Sequence, residues 1–127
     1  MNERNTRDLK VLLVEDVEDT RFIMRLELEQ NGFIVFEAAD GQTAVDLATE
    51  EMPDVILMDL SLPVMDGFGA ARLMRQHDHL KQVPIIAVTA HQETDFRSGA
   101  RDSGFDAYVT KPIDINSLKE LINGLLI

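Results

Sequence analysis

The chain has 127 residues, 45% of them hydrophobic and 28% charged, which suits one globular domain with a sizeable core. It has no cysteine, so disulfides and thiolate zinc sites are excluded, and no apolar run approaches a membrane span or a signal peptide. A net charge of −11, from 23 acids against 12 bases, speaks against nucleic-acid binding and leaves cations and basic protein surfaces as partners. The cytoplasm is the expected compartment.

Residues 1–8 are polar and aperiodic and read as a flexible tail before a domain over 9–127. "KVLLVED" (10–16) is a β-branched-rich strand ending in acids. "TRFIMRLELEQN" (20–31) is a helix with apolar positions Phe22, Ile23 and Leu26, stopped by Gly32 as its C′ residue. "FIVFEAA" (33–39) is a strand, and "GQTAVDLATEE" (41–51) is a helix ended by Pro53. Val55, Ile56, Leu57 and Met58 form a third, buried strand that stops on Asp59. A third helix spans residues 68–76. "VPIIAVTA" (83–90) is the fourth strand, with Pro84 at its start, where a missing N–H does least harm. A weak fourth helix, residues 94–104, has Gly99 in its interior. "DAYVTK" (106–111) is the fifth strand. The last helix, 115–126, carries Ile115, Leu118, Leu121, Ile122 and Leu125 on one stripe.

This is an α/β pattern of five βα units, and continuous apolar strands predict a parallel sheet covered on both faces. The right-handed crossover rule favours a doubly wound, flavodoxin-like order 2-1-3-4-5, whose topological switch lies between the first and third strands. Glu15 and Asp16 end the first strand and Asp59 ends the third, so three acids from distant sequence meet in one crevice. Thr89 and Lys111 end the fourth and fifth strands on the same rim. Clustered carboxylates raise one another's pKa unless a cation holds them ionised, and an all-oxygen ligand set without His or Cys suits Mg²⁺. A divalent ion, an ammonium and a hydroxyl around one carboxylate are the parts that transfer a phosphoryl group to it.

With these residues in place, the sequence over 9–127 resembles the receiver domain of two-component response regulators, of the stand-alone chemotaxis-regulator type. The resemblance rests on the Glu15-Asp16 pair, Asp59, "LPVMDG" (62–67), Thr89 and "YVTKP" (108–112), in order and on matching elements. It implies that Asp59 accepts a phosphoryl group from a phosphohistidine on a histidine kinase or phosphotransfer protein. It implies that Asp16, Asp59 and the main-chain carbonyl of Ser61 bind Mg²⁺ directly, and Glu15 largely through water. It implies that Lys111 pairs with Asp59 or its phosphate, that Thr89 and Tyr108 form a switch pair, and that the Lys111–Pro112 bond is cis. A downstream protein would read the face made by the predicted fourth helix, the fifth strand and the last helix. By the same resemblance, Ser61 and His91 flank the path of the hydrolytic water and tune phosphate lifetime. The chain would be no enzyme beyond the chemistry on its own aspartate.

Blander readings stand beside these. Asp66 before Gly67 reads as a cap for the third helix, and Asp54 as a strand-start acid. His77 and His79 read as solvated loop residues rather than metal ligands. The main alternative function is an aspartate-nucleophile phosphatase of the haloacid dehalogenase type, which carries a second Asp two residues after the first; here that position is Ser61. A flavodoxin-type FMN carrier shares the fold, yet "EDVEDT" (15–20) would repel its phosphate. A phosphate-independent interaction module would not need Asp59, Thr89 and Lys111 together.

Overall fold

Short aliphatic runs recur along the chain, and each becomes a strand. The computed structural model describes residues 8–62, 65–90 and 104–126. In order they form β1 (Lys10–Val14), α1 (Glu18–Gln30), β2 (Ile34–Ala38), α2 (Gly41–Glu51), β3 (Val55–Asp59) and α3 (Gly67–Arg75). A 3₁₀ turn (Asp78–Leu80), β4 (Ile85–Thr89), β5 (Ala107–Thr110) and α4 (Ile115–Leu126) follow. The predicted fourth helix lies outside the described residues except for Gly104, so α4 here is the predicted last helix; His91 also lies outside them.

The five strands form one parallel sheet in the order β2-β1-β3-β4-β5, as expected from the crossover rule. β3 and β4 are buried along their whole length, which is why they read as unbroken apolar runs. Alternate residues feed two cores. Leu12, Ile56, Met58 and Ala87 pack with α2 and α3, while Val11, Leu13, Leu57 and Val88 pack with α1 and α4. Among the described residues no helix is long and apolar enough to cross a membrane.

Local chemistry sets the helix limits. Asp40 and Asp66 cap α2 and α3, accepting from Thr43 N (2.8 Å) and Gly69 N (2.9 Å), so Asp66 has the capping role expected of it. The Thr43 N–H bond holds the Asp40 carboxyl below the usual carboxylate value. Gly32, at φ 93°, turns the chain out of α1. Asp54 accepts from Lys10 N at 2.7 Å and ties the starts of β1 and β3 together. His77 precedes the 3₁₀ turn and His79 lies within it, and both are exposed. On α4, Leu118 and Ile122 are buried, as the stripe predicts.

In α1 the apolar residues that mark the helix in the sequence are not its inner face. Phe22, Ile23 and Leu26 are exposed, and Met24 and Leu28 face the core. Arg21 and Arg25 lie along the edge of that buried stripe and turn their guanidinium groups to Glu37 on β2, at 3.1 and 3.0 Å. Replacing Asp66 by alanine should cost about 1 kcal/mol, the usual value of an N-cap. Urea unfolding checks this, and an unchanged midpoint would deny Asp66 its capping role.

Candidate functional site

Every strand of a parallel sheet points its carboxyl end to the same rim, and here four of them reach it on polar residues. Glu15 follows β1 directly and its N–H bonds Ala38 O at 3.0 Å, which continues the ladder with β2. Asp59 is the last residue of β3, and the next residue stays tied to β4 through Leu60 N to Val88 O at 3.2 Å. Thr89 ends β4 and is buried. Lys111 follows β5 and donates its N–H to Thr89 O at 2.9 Å.

The side chains converge as the topology predicts. Carboxylate oxygens of Glu15, Asp16 and Asp59 all lie within 4.8 Å of one another. Glu15 is only 1% exposed and Asp59 6%, so each must be compensated. Lys111 does this for both, with Nζ 2.7 Å from Glu15 Oε1 and 3.4 Å from Asp59 Oδ2. The other oxygen of each acid accepts a main-chain N–H: Glu15 Oε2 from Val17 (3.0 Å), Asp59 Oδ1 from Ser61 (3.0 Å). Asp16 is exposed on the open side of the crevice. The Lys111–Pro112 peptide is cis.

Electrostatics follow from this packing. Burial pushes the Asp59 carboxyl above its ordinary value, the Ser61 N–H opposes that, and the Glu15 charge adds to it against the pull of Lys111. For Lys111, burial alone would lower the ammonium. Its hydrogen bond to Glu15 and the charges of both acids outweigh that, and the net shift is upward. Among the described residues, three carboxylates face one ammonium. The donors are all oxygen and one acid is open to solvent, so the residues fit a hard, partly hydrated cation such as Mg²⁺.

The expected residues do not all meet at one point. Glu15, Asp16, Asp59 and Lys111 form the cluster, and Ser61 joins through its main chain. Tyr108 is half-buried in mid-β5, opposite Ala87 and two residues short of the rim, and packs on the α2–α3 side. Sequence reasoning paired Lys111 with Asp59 and missed that Glu15 is its nearer partner. It also missed Arg21, whose Nη1 donates to the Glu15 carbonyl at 2.9 Å and steadies the β1–α1 turn.

Residues 11–123 match the family model of the response regulator receiver domain. The chain belongs to the response regulator receiver family. Among its relatives, the polar-differentiation response regulator DivK of Brucella anthropi is 35% identical over 116 residues, covering 91% of this chain and 94% of DivK. Protein PilH of Pseudomonas aeruginosa is 37% identical, covering 92% of this chain and 97% of its own. Among solved structures, the receiver domain of a Pseudomonas aeruginosa sensor histidine kinase superposes with a TM-score of 0.87 at 34% identity. That match covers 94% of this chain and 98% of the other, and that receiver holds a magnesium ion in its active-site cleft. The receiver assignment disfavours the phosphatase alternative.

Proposed function

We propose that Asp59 accepts a phosphoryl group from a phosphohistidine of a histidine kinase or histidine phosphotransfer protein. The phosphorylated domain is then read by a downstream protein in the cytoplasm. The observation that carries this reading is the Lys111 ammonium lying between Glu15 and Asp59 in a cluster of three carboxylates. A carboxylate attacks phosphorus, the phosphorus–imidazole bond breaks, and its electron pair leaves with the imidazole. The Ser61 N–H and Lys111 fix the plane of the Asp59 carboxylate for that attack. Lys111 is near enough to follow the new phosphoryl oxygens, and Glu15 holds it ready until they arrive.

Asp16, Asp59 and the Ser61 carbonyl are the residues that would hold Mg²⁺, with Glu15 acting through water. When bound, the ion offsets the repulsion between the acids and the phosphoryl oxygens. Support comes from the oxygen-only donor set and from the magnesium site of the related kinase receiver. Thr89 and Tyr108 are the switch pair of this reading, and the face of residues 94–104, β5 and α4 is its output surface. The chain performs chemistry only on its own aspartate.

Beryllofluoride with Mg²⁺ mimics an acyl phosphate and tests the reading. Binding by the wild type and none by Asp59→Asn is the expected pattern; absence of binding by the wild type would refute it. Asp16→Asn should weaken Mg²⁺ binding by at least about tenfold, since a direct carboxylate ligand is lost while Asp59 stays. Titration calorimetry measures that loss.

A further inference from the structure

β5 is four residues long and, among the described residues, lies at the edge of the sheet and pairs with β4 alone. None of its residues is fully buried, in contrast with β3 and β4, so burial places it weakly along its own axis. Yet Lys111, the residue after it, must reach Glu15 and Asp59 at defined distances. Something has to set the height of this strand.

Its lower end is held by a charged fork. Arg75, the last residue of α3, donates from Nη2 to Asp106 Oδ2 at 2.8 Å and from Nε to Gly104 O at 3.0 Å. Its Nη1 donates to Leu80 O and Val83 O, both at 2.7 Å, in the segment that leads into β4. The same Asp106 Oδ2 accepts Ile85 N at 2.8 Å, and Asp106 N donates to Ile85 O at 2.8 Å. One carboxylate therefore joins the first residue of β4 to the residue before β5. Gly104, at φ 106°, leaves room for this: a Cβ there would lie 2.7 Å from Arg75 Cγ.

We infer that Arg75 and Asp106 are positioning residues that set the axial height of β5 and thereby place the Lys111 ammonium in the phosphoacceptor site. This rests on the function proposed above. Phe105, buried and edge-on to Phe68 at 5.9 Å, already excludes a slip by a whole residue, because that would expose its ring. What remains is displacement by a fraction of a residue, and the fork opposes it. The four residues of β5 separate Asp106 from Lys111, a span of about 16 Å, and an extended chain transmits such a shift with little loss. Lysine in place of Arg75 would keep the charge but lose the planar fork.

The test compares wild type, Asp106→Ala, Asp106→Asn and Arg75→Lys at a temperature where circular dichroism shows them folded. Three quantities are read: the rate constant of labelling by acetyl phosphate, Mg²⁺ affinity by calorimetry, and amide exchange at Lys111. Asp106→Ala and Arg75→Lys should slow labelling by about tenfold, since a misplacement of about 1 Å can cost a factor of 100. Mg²⁺ affinity should stay within about twofold, because its acids sit on β1 and β3 and not on β5. Exchange at Lys111 should quicken, and Asp106→Asn, which keeps an oxygen acceptor, should recover much of the rate. A wild-type labelling rate in Asp106→Ala would overturn the inference, as would Mg²⁺ affinity falling in step with the rate. If Asp106→Ala does not fold, Arg75→Lys decides by the same criteria. If the wild type takes no label, the function proposal fails, and exchange at Lys111 alone judges the pin: faster in the variants supports it, unchanged overturns it.

Discussion

Asp59→Asn is expected to abolish labelling by acetyl phosphate and, in the same molecule, to stabilise the metal-free protein at neutral pH. The first result follows from the proposed function, in which Asp59, at the end of β3 with the Ser61 N–H and Lys111 on its two oxygens, is the acceptor. Acid-stable label persisting on the variant would sink the assignment. The second follows from burial. Asp59 holds its proton to a higher pH in the folded chain than in the unfolded one, so ionising it costs folding free energy. That cost is fully present above the raised folded value and fades as pH falls toward the ordinary carboxylate range, below which both states are protonated. Asparagine removes it, and Lys111 keeps Glu15 at 2.7 Å, so no ammonium is orphaned. The gain should be about 1 kcal/mol, the size of an ordinary single substitution but of opposite sign. Urea unfolding in a chelator at pH 7.5 should show it, and the difference from wild type should shrink as the buffer is made acidic. A constant difference across pH would mean that the Asp59 charge is not its source.

The fold and the acid cluster were legible because each rests on a pattern that is local or topological. A short, unbroken apolar run such as Val55–Met58, with Pro53 just before it, reads as a strand buried on both faces, and crossover handedness then leaves few sheet orders. Once the order is known, Glu15, Asp16 and Asp59 must meet, since parallel strands share a rim. Partner choice at the rim was not legible. Lys111 prefers Glu15 because the longer acid is almost wholly buried and its other oxygen is tied to Val17 N, which no sequence spacing encodes. The inner face of α1 was not legible either. Phe22, Ile23 and Leu26 outnumber Met24 and Leu28 in the sequence, but the core admits the side that also lets Arg21 and Arg25 reach Glu37. Arg75 and Asp106 lie 31 residues apart and nothing near either one announces the pair.

Gly67→Ala should destabilise the domain and slow phosphoryl acceptance together, while Gly124→Ala should stabilise it and leave acceptance unchanged. Gly124 lies inside α4, where alanine is intrinsically better by about 1 kcal/mol, and Gly67 is the first residue of α3, where the gain is smaller. At Gly124 an added Cβ meets nothing within 4 Å, so this propensity gain is realised in full. At Gly67 the same atom would lie 2.5 Å from Asp59 O and 3.0 Å from Leu60 Cα. These are main-chain atoms of the strand end that carries the acceptor, and they cannot rotate away. Gly67 N also donates to Leu60 O at 3.2 Å, which holds the start of α3 against that strand. Relief therefore requires α3 to back off or the Asp59 peptide to tilt, at an overpacking cost of about 1–3 kcal/mol that exceeds the propensity gain. Either movement shifts the Asp59 carboxylate from the Ser61 N–H and from Lys111, so labelling by acetyl phosphate should slow by at least about tenfold. Chemical unfolding and labelling rates of the two alanine variants give the answer. Wild-type stability and rate in Gly67→Ala would show that the close contact at the end of β3 does not govern the acceptor's position.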